Sequence, residues 1–219
     1  MKGVLFALTA LTVIVLAVFA IWPGLDLAVA GLFWGPEGFG GQSAAARFGR
    51  DFFRVTPFVV LAADVGLYLA RRFGRRVAYA PSFRALVFLG LTMALGPGAL
   101  VNLTLKDHWH RPRPIHTVEF GGSQEFRPWY RDDGACYHNC SFVSGEASTG
   151  FWMVAPAMLA PPPARGPAIA GALAFGVGAS LLRLAAGAHY LSDVLLGGLF
   201  TLILVAIAHL ALWPRGGAE

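Results

Sequence analysis

This sequence predicts an all-α, polytopic membrane protein with six transmembrane helices and an active site on the periplasmic side. Its 219 residues are 56% hydrophobic and only 13% charged, and a mean hydropathy of +0.60 is too high for an ordinary soluble domain. The apolar residues fall into separate runs near the ~20 residues that a bilayer requires. Several arginines sit in short loops between those runs, where topology explains them. The length suits one domain over residues 1–219, organised by membrane spans rather than by a water-driven core. The net charge of +5 is not a nucleic-acid signature, because no basic stripe interleaves with exposed aromatics.

The first run, 4–22, follows Lys2 and reads as a retained span, since no small-x-small cleavage site leads into a soluble domain. Residues 23–54 form a linker whose middle, 25–34, is moderately apolar but too short to cross, which suits an interfacial helix. Span two, 55–70, is short and holds Asp64, a lone membrane carboxylate and so a functional candidate or a helix–helix hydrogen-bond partner. Span three, 84–104, contains Gly96-Pro97-Gly98, where proline removes a helix donor and a kink is expected. The polar segment 106–143 is the main outer loop. Spans four, five and six follow at 146–160, 167–184 and 190–213, the fourth again short. Trp22, Trp34, Trp129 and Trp213 suit interfacial anchoring.

With six spans, both termini share a side with Lys2, Arg71, Arg72, Arg75, Arg76, Arg84, Arg165 and Arg215, offset only by Glu219. On the other side acids such as Asp132, Asp133 and Asp193 offset the cations. The positive-inside rule then places the termini in the cytoplasm of a bacterial inner membrane.

Three short stretches carry the chemistry: Lys106 with Arg113-Pro114, Ser144-Gly145-Glu146, and Arg183 with His189 and Asp193. Their positions at span ends bring all three to the outer face. Phosphoryl transfer is mostly positioning and charge neutralisation. Lys106 supplies a point charge, and Arg113 and Arg183 supply planar forks for phosphate oxygens. Backbone N–H groups near Ser144 and Gly145 open a helix, and glycine there lets an anion approach closely. His189 and Asp193, four apart, share a face on a helix, so the carboxylate can hold one ring nitrogen while the other attacks phosphorus. Cations that merely touch lipid headgroups would explain the arginines but not this pair.

These residues resemble the type 2 phosphatidic acid phosphatase superfamily, which includes bacterial integral membrane lipid phosphatases. Its pattern is K-x6-RP, then PSGH, then SR-x5-H-x3-D, and the resemblance covers roughly residues 86–206. It implies that Lys106, Arg113, Ser144, Gly145 and Arg183 hold phosphate, that His189 is the nucleophile oriented by Asp193, and that no metal or other cofactor is needed. Val143 and Leu182 replace the family's proline and serine. Glu146 stands where a histidine would protonate the leaving oxygen. A carboxylic acid can do this only while it holds its proton; a helix start favours the anion, and a nearby phosphate dianion favours the acid. Glu146 is therefore the candidate general acid, with His108, His110, His116 and His138 as substitutes.

Arg111 also precedes a proline and has a secondary role in this reading. Cys136 and Cys140 are a candidate disulfide on an oxidising outer face, provided the geometry allows it; with His108 and His110 they lack the spacing of a metal site. The expected activity is hydrolysis of phosphate monoesters or diphosphates of membrane lipids: lipid A, phosphatidic acid, phosphatidylglycerol phosphate or a polyprenyl diphosphate. The partners are the phosphorylated lipid and the bilayer, not nucleic acid. The outer loop, with Arg127, Trp129, Tyr130 and Arg131, leans the reading towards a sugar headgroup and lipid A. A lipid phosphotransferase and a non-catalytic lipid-phosphate binding or transport protein are the alternatives.

Overall fold

The computed structural model describes residues 1–214, so Arg215 and Glu219 lie outside the described residues. The chain is mostly helical, and its few strand residues form one hairpin. Helix α1 (Lys2–Ile21) is almost wholly apolar. Helix α2 (Gly24–Gly31) is the short segment expected at the interface, and a two-stranded hairpin follows it, β1 (Trp34–Gly35) and β2 (Gly38–Phe39). Helix α3 spans Ala44–Arg72, capped by Ser43 Oγ, which accepts from the N–H of Ala46 at 3.2 Å. It begins well before the expected start at residue 55. The charges of Arg47, Arg50, Asp51 and Arg54 disguised its first turns as linker.

Helix α4 (Phe83–Met93) continues as a wider π-helix over Ala94–Leu105 and ends in the short turn α5 (Lys106–His108). The expected proline disturbance is thus a change of pitch around Pro97. Asn102 Nδ2 donates to the Pro97 carbonyl at 2.6 Å, satisfying backbone that the wider helix leaves open. The fourth apolar run is two short helices, α6 (Gly145–Trp152) and α7 (Val154–Met158), which accounts for its brevity. Helices α8 (Pro162–Ala185) and α9 (Leu191–Leu212) complete the chain. Among the described residues, five helical stretches are long and apolar enough to cross a membrane: α1, α3, α4 with its π extension, α8 and α9.

Helix α9 is the central mast, packed by α1, α2, α4 and α6. Two apolar clusters surround it. Val15, Phe19, Val101, Phe142, Val143, Leu196 and Leu199 fill one end, and Phe88, Leu89, Trp152, Val205 and Trp213 fill the other. Helix α6 lies between α8 and α9, and a Cβ at Gly150 would come within 3.2 Å of Gly176 on α8. Hydroxyl contacts join helices in this interior: Ser148 Oγ and Thr201 Oγ1 lie 2.6 Å apart, and Trp152 Nε1 donates to Thr92 Oγ1 at 3.0 Å. At the end remote from α5, a cavity of about 290 Å³ is lined by Arg71, Tyr79, Ser82, Leu159, His209 and Trp213. Leu159, just beyond α7, thus lines the same cavity as Trp213 beyond α9.

Candidate active site

The three sequence motifs converge at the α5 end of the bundle, and one winding strap, residues 139–144, ties them together. The Asn139 carbonyl accepts from Arg113 Nε and Nη2 at 3.0 and 2.7 Å, and its side-chain oxygen accepts from Lys106 Nζ at 3.2 Å. Two residues on, the Ser141 carbonyl lies 2.7 Å from His189 Nδ1, and Ser141 Oγ donates to Asp193 Oδ2 at 2.5 Å. The Ser144 N–H donates to the Asp193 carbonyl at 3.0 Å, and Ser144 Oγ caps α6 by accepting from Ala147 N at 3.3 Å. A disulfide joins Cys136 to Cys140 and closes the small loop that carries Asn139.

This geometry defines the state of His189. A carbonyl oxygen can only accept, so Nδ1 carries the proton and Nε2 the lone pair. The ring is 2% exposed. Burial holds its proton affinity well below the usual imidazole range, and the charges of Arg113, Arg183 and Lys106 push it further in the same direction. The imidazole is thus neutral and surrounded by cations.

Asp193 is not the direct holder of the ring that its spacing suggested. Its Oδ2 lies 3.9 Å from His189 Nδ1. The physical reason is that α9 starts at Leu191, so His189 precedes the helix and the i,i+4 geometry does not apply. Asp193 instead caps α9, accepting from the Tyr190 N–H at 2.9 Å, and its other oxygen takes Arg111 Nη1 at 2.5 Å. Arg111 is completely buried. It pairs also with Asp26 at 2.7 Å and donates to Ser192 Oγ at 2.9 Å, with its guanidinium 4.4 Å from the Tyr190 ring centre. The residue expected to be secondary is the buried hub beneath the histidine.

Around the imidazole lie the remaining motif residues. Gly145 opens α6 so closely that a Cβ there would come within 2.9 Å of Asn102 Oδ1 and 3.2 Å of Lys106 Nζ, which a side chain would push away. Arg183 ends α8 with its side chain 7% exposed. Glu146 lies in the first turn of α6 and pairs with Arg50 of α3 at 2.7 Å, while its second oxygen is 3.6 Å from Arg183 Nε. Lys106, Arg113, Ser144, Gly145, Glu146, Arg183, His189 and Asp193 are therefore all brought to one end. Trp129 does not face outward as a headgroup cover. Its Nε1 donates to the Leu16 carbonyl at 3.1 Å and its ring stacks on Phe142, while Arg127 and Arg131 both pair with Asp133.

Arg50, Asp26, Asn139 and Ser141 escaped the sequence reading. Asp26 had a usable signal, an acid inside an apolar helix that needs a partner. Ser141 and Asn139 act largely through backbone oxygens, which no side-chain pattern reveals.

A buried neutral imidazole ringed by lysine and arginine thus lies at the end of an apolar helical bundle, an arrangement suited to holding an anion. The chain belongs to the PAP2 superfamily, which it matches over residues 85–216, and it is a phosphatase. It is 34% identical over 208 residues to the lipid A 4'-phosphatase of Francisella tularensis subsp. novicida, covering 90% of each chain. It is also 37% identical to the lipid A 4'-phosphatases of Rhizobium leguminosarum, over 87% of this chain and 88% of that one, and Rhizobium etli, over 87% and 80%. No solved structure matches it.

Proposed function

We propose that this protein is a single-domain, multi-pass enzyme of the bacterial inner membrane that removes a phosphate from lipid A, at the periplasmic face, through a phosphohistidine on His189. The observation that carries the chemistry is the contact from His189 Nδ1 to the Ser141 carbonyl, which leaves Nε2 free beside Lys106, Arg113 and Arg183. The substrate follows from the relatives, all three of which bear the name lipid A 4'-phosphatase.

In this mechanism the phosphate enters past the partly exposed Lys106, Arg113 and Glu146 and is held by those cations, Arg183 and the first N–H groups of α6. The His189 Nε2 lone pair forms a bond to phosphorus as the bond to the sugar oxygen breaks. The resulting imidazolium is stabilised through Ser141, whose hydroxyl is tied to Asp193. Glu146, protonated beside the phosphate dianion, gives its proton to the leaving oxygen. It then takes a proton from the water that cleaves the phosphohistidine, releasing inorganic phosphate.

Purified protein given lipid A, phosphatidic acid and a polyprenyl diphosphate in nanodiscs tests this reading. Free phosphate should be released from lipid A in preference to the others, and His189→Ala should reduce the rate to background. Phosphate appearing on an acceptor lipid instead of in solution would make the protein a phosphotransferase, and no turnover at all would make it a binding protein.

A further inference from the structure

Arg50 belongs to none of the motifs, yet its side chain reaches the site. Its guanidinium grips Glu146 through Nε, 2.9 and 3.2 Å from the two carboxylate oxygens, and through Nη2 at 2.7 Å. The far oxygen of that carboxylate lies 3.6 Å from Arg183 Nε, a buried nitrogen with no hydrogen-bond partner. One carboxylate therefore lies between two guanidinium forks from different helices. The charges of Arg50 and Glu146 are also felt by Arg113. Asp193 is already committed to Arg111.

We propose that Arg50 is a fourth cationic ligand for the substrate phosphate, held in reserve by Glu146, which occupies the anion position until the phosphate displaces it. The inference deepens the phosphate-cradle reading above and rests on it. Charge balance supports the exchange: Arg50 and Arg183 lie on either side of the Glu146 carboxylate and Arg113 senses its charge, and a phosphate dianion with three free oxygens neutralises such a group better. Geometry supports it too, because an arginine fork that fits two carboxylate oxygens fits two phosphate oxygens equally well. The side chain of Arg50 is 44% exposed and that of Glu146 20%, so the fork can swing between partners without stranding a buried charge. Helix α3 meanwhile keeps the Arg50 backbone fixed against α6 and α8. No covalent bond changes in this step. The displaced carboxylate is left beside a dianion, takes up a proton from solvent, and is then placed to pass it to the leaving oxygen as the P–O bond breaks.

Inorganic phosphate is the probe, titrated calorimetrically into the full chain in detergent. Glu146→Gln should bind it about tenfold more tightly than the parent, because the internal competitor is neutralised. Adding Arg50→Gln to that variant should cost about tenfold, the scale of one charge-assisted contact, and Arg50→Lys should recover part of the loss. The double variant keeps an amide pair where the ion pair stood, so the titration reads the site even if Arg50→Gln alone folds poorly. Equal phosphate affinity with and without Arg50 in the Glu146→Gln background overturns the assignment, as does weaker binding by Glu146→Gln itself. Arg183→Gln separates the two levels of the argument. If it weakens phosphate binding while Arg50→Gln leaves the affinity unchanged, Arg50 alone is wrong; if neither matters, the cradle itself is wrong.

Discussion

His189 shows how surroundings set a nucleophile. An ordinary imidazole is half protonated near pH 6.5, but here burial first, and then Arg113, Arg183 and Lys106, disfavour the charged ring. The neutral, attacking form therefore persists to lower pH than in a free histidine. Removing one neighbouring cation partly restores the ordinary value, so Arg113→Gln should move the acid limb of kcat/KM to higher pH. The substrate's own ionisation is common to both enzymes, and the difference between their profiles isolates the histidine. An unmoved limb, with kcat/KM merely lowered at every pH, would show that His189 does not sense that charge. The same depression has a consequence for stability. The unfolded chain takes up a proton on this residue more readily than the folded one, so its contribution is complete above about pH 6.5 and declines below.

Arg111 is the costliest residue to disturb. Its partners Asp26 and Asp193 are as closed to water as it is, with side-chain exposures of 0 to 1% throughout. Breaking such a pair leaves an uncompensated buried charge, typically worth ~3–5 kcal/mol. Asp26→Ala should accordingly lower the Tm in detergent by several degrees and reduce activity, because Arg111 would then draw more heavily on the Asp193 carboxylate that also binds Ser141. A Tm equal to the parent's would mean that water or a rearrangement compensates Arg111.

The strap at 139–144 is the element on which the separate motifs depend. Asn139 holds both cations of the first motif, and its position depends on the Cys136–Cys140 loop. Replacing both cysteines by serine should leave the bundle folded and raise KM several-fold, with a smaller change in kcat, because Lys106 and Arg113 lose their common anchor while Ser141 still holds His189. Reductant should reproduce the effect in the parent and have none on the variant; equal KM values would make the loop dispensable. This is also where a reading from residue types reaches its limit. Lys106, Arg113, Arg183 and His189 were legible because phosphate chemistry demands those side chains at span ends. Asn139 and Ser141 of the strap were not, because much of their work is done by carbonyl groups that every residue possesses. Arg50 was hidden differently: the polar turns at the start of α3 looked like linker, so a helix that carries a charge into the site was cut short.

At the scale of the whole molecule, the apolar runs were legible because a bilayer imposes their length. The pairing of the fourth run into α6 and α7 was not, since its break at Met153 follows packing against α8 and α9. The consequence for function is orientation. In the proposed topology the α6–α7 pair is a sixth pass, which sets Met1 opposite the site. With Arg71, Arg72, Arg75, Arg76 and Arg165 on the side of Met1 in that topology, the positive-inside rule favours the proposed periplasmic placement of His189. A periplasm-dependent reporter inserted between residues 121 and 134 should be active, whereas one inserted between residues 74 and 79 should be silent. The reverse pattern would turn the phosphate site to the cytoplasm, and a substrate in the periplasmic leaflet would then be unable to reach it.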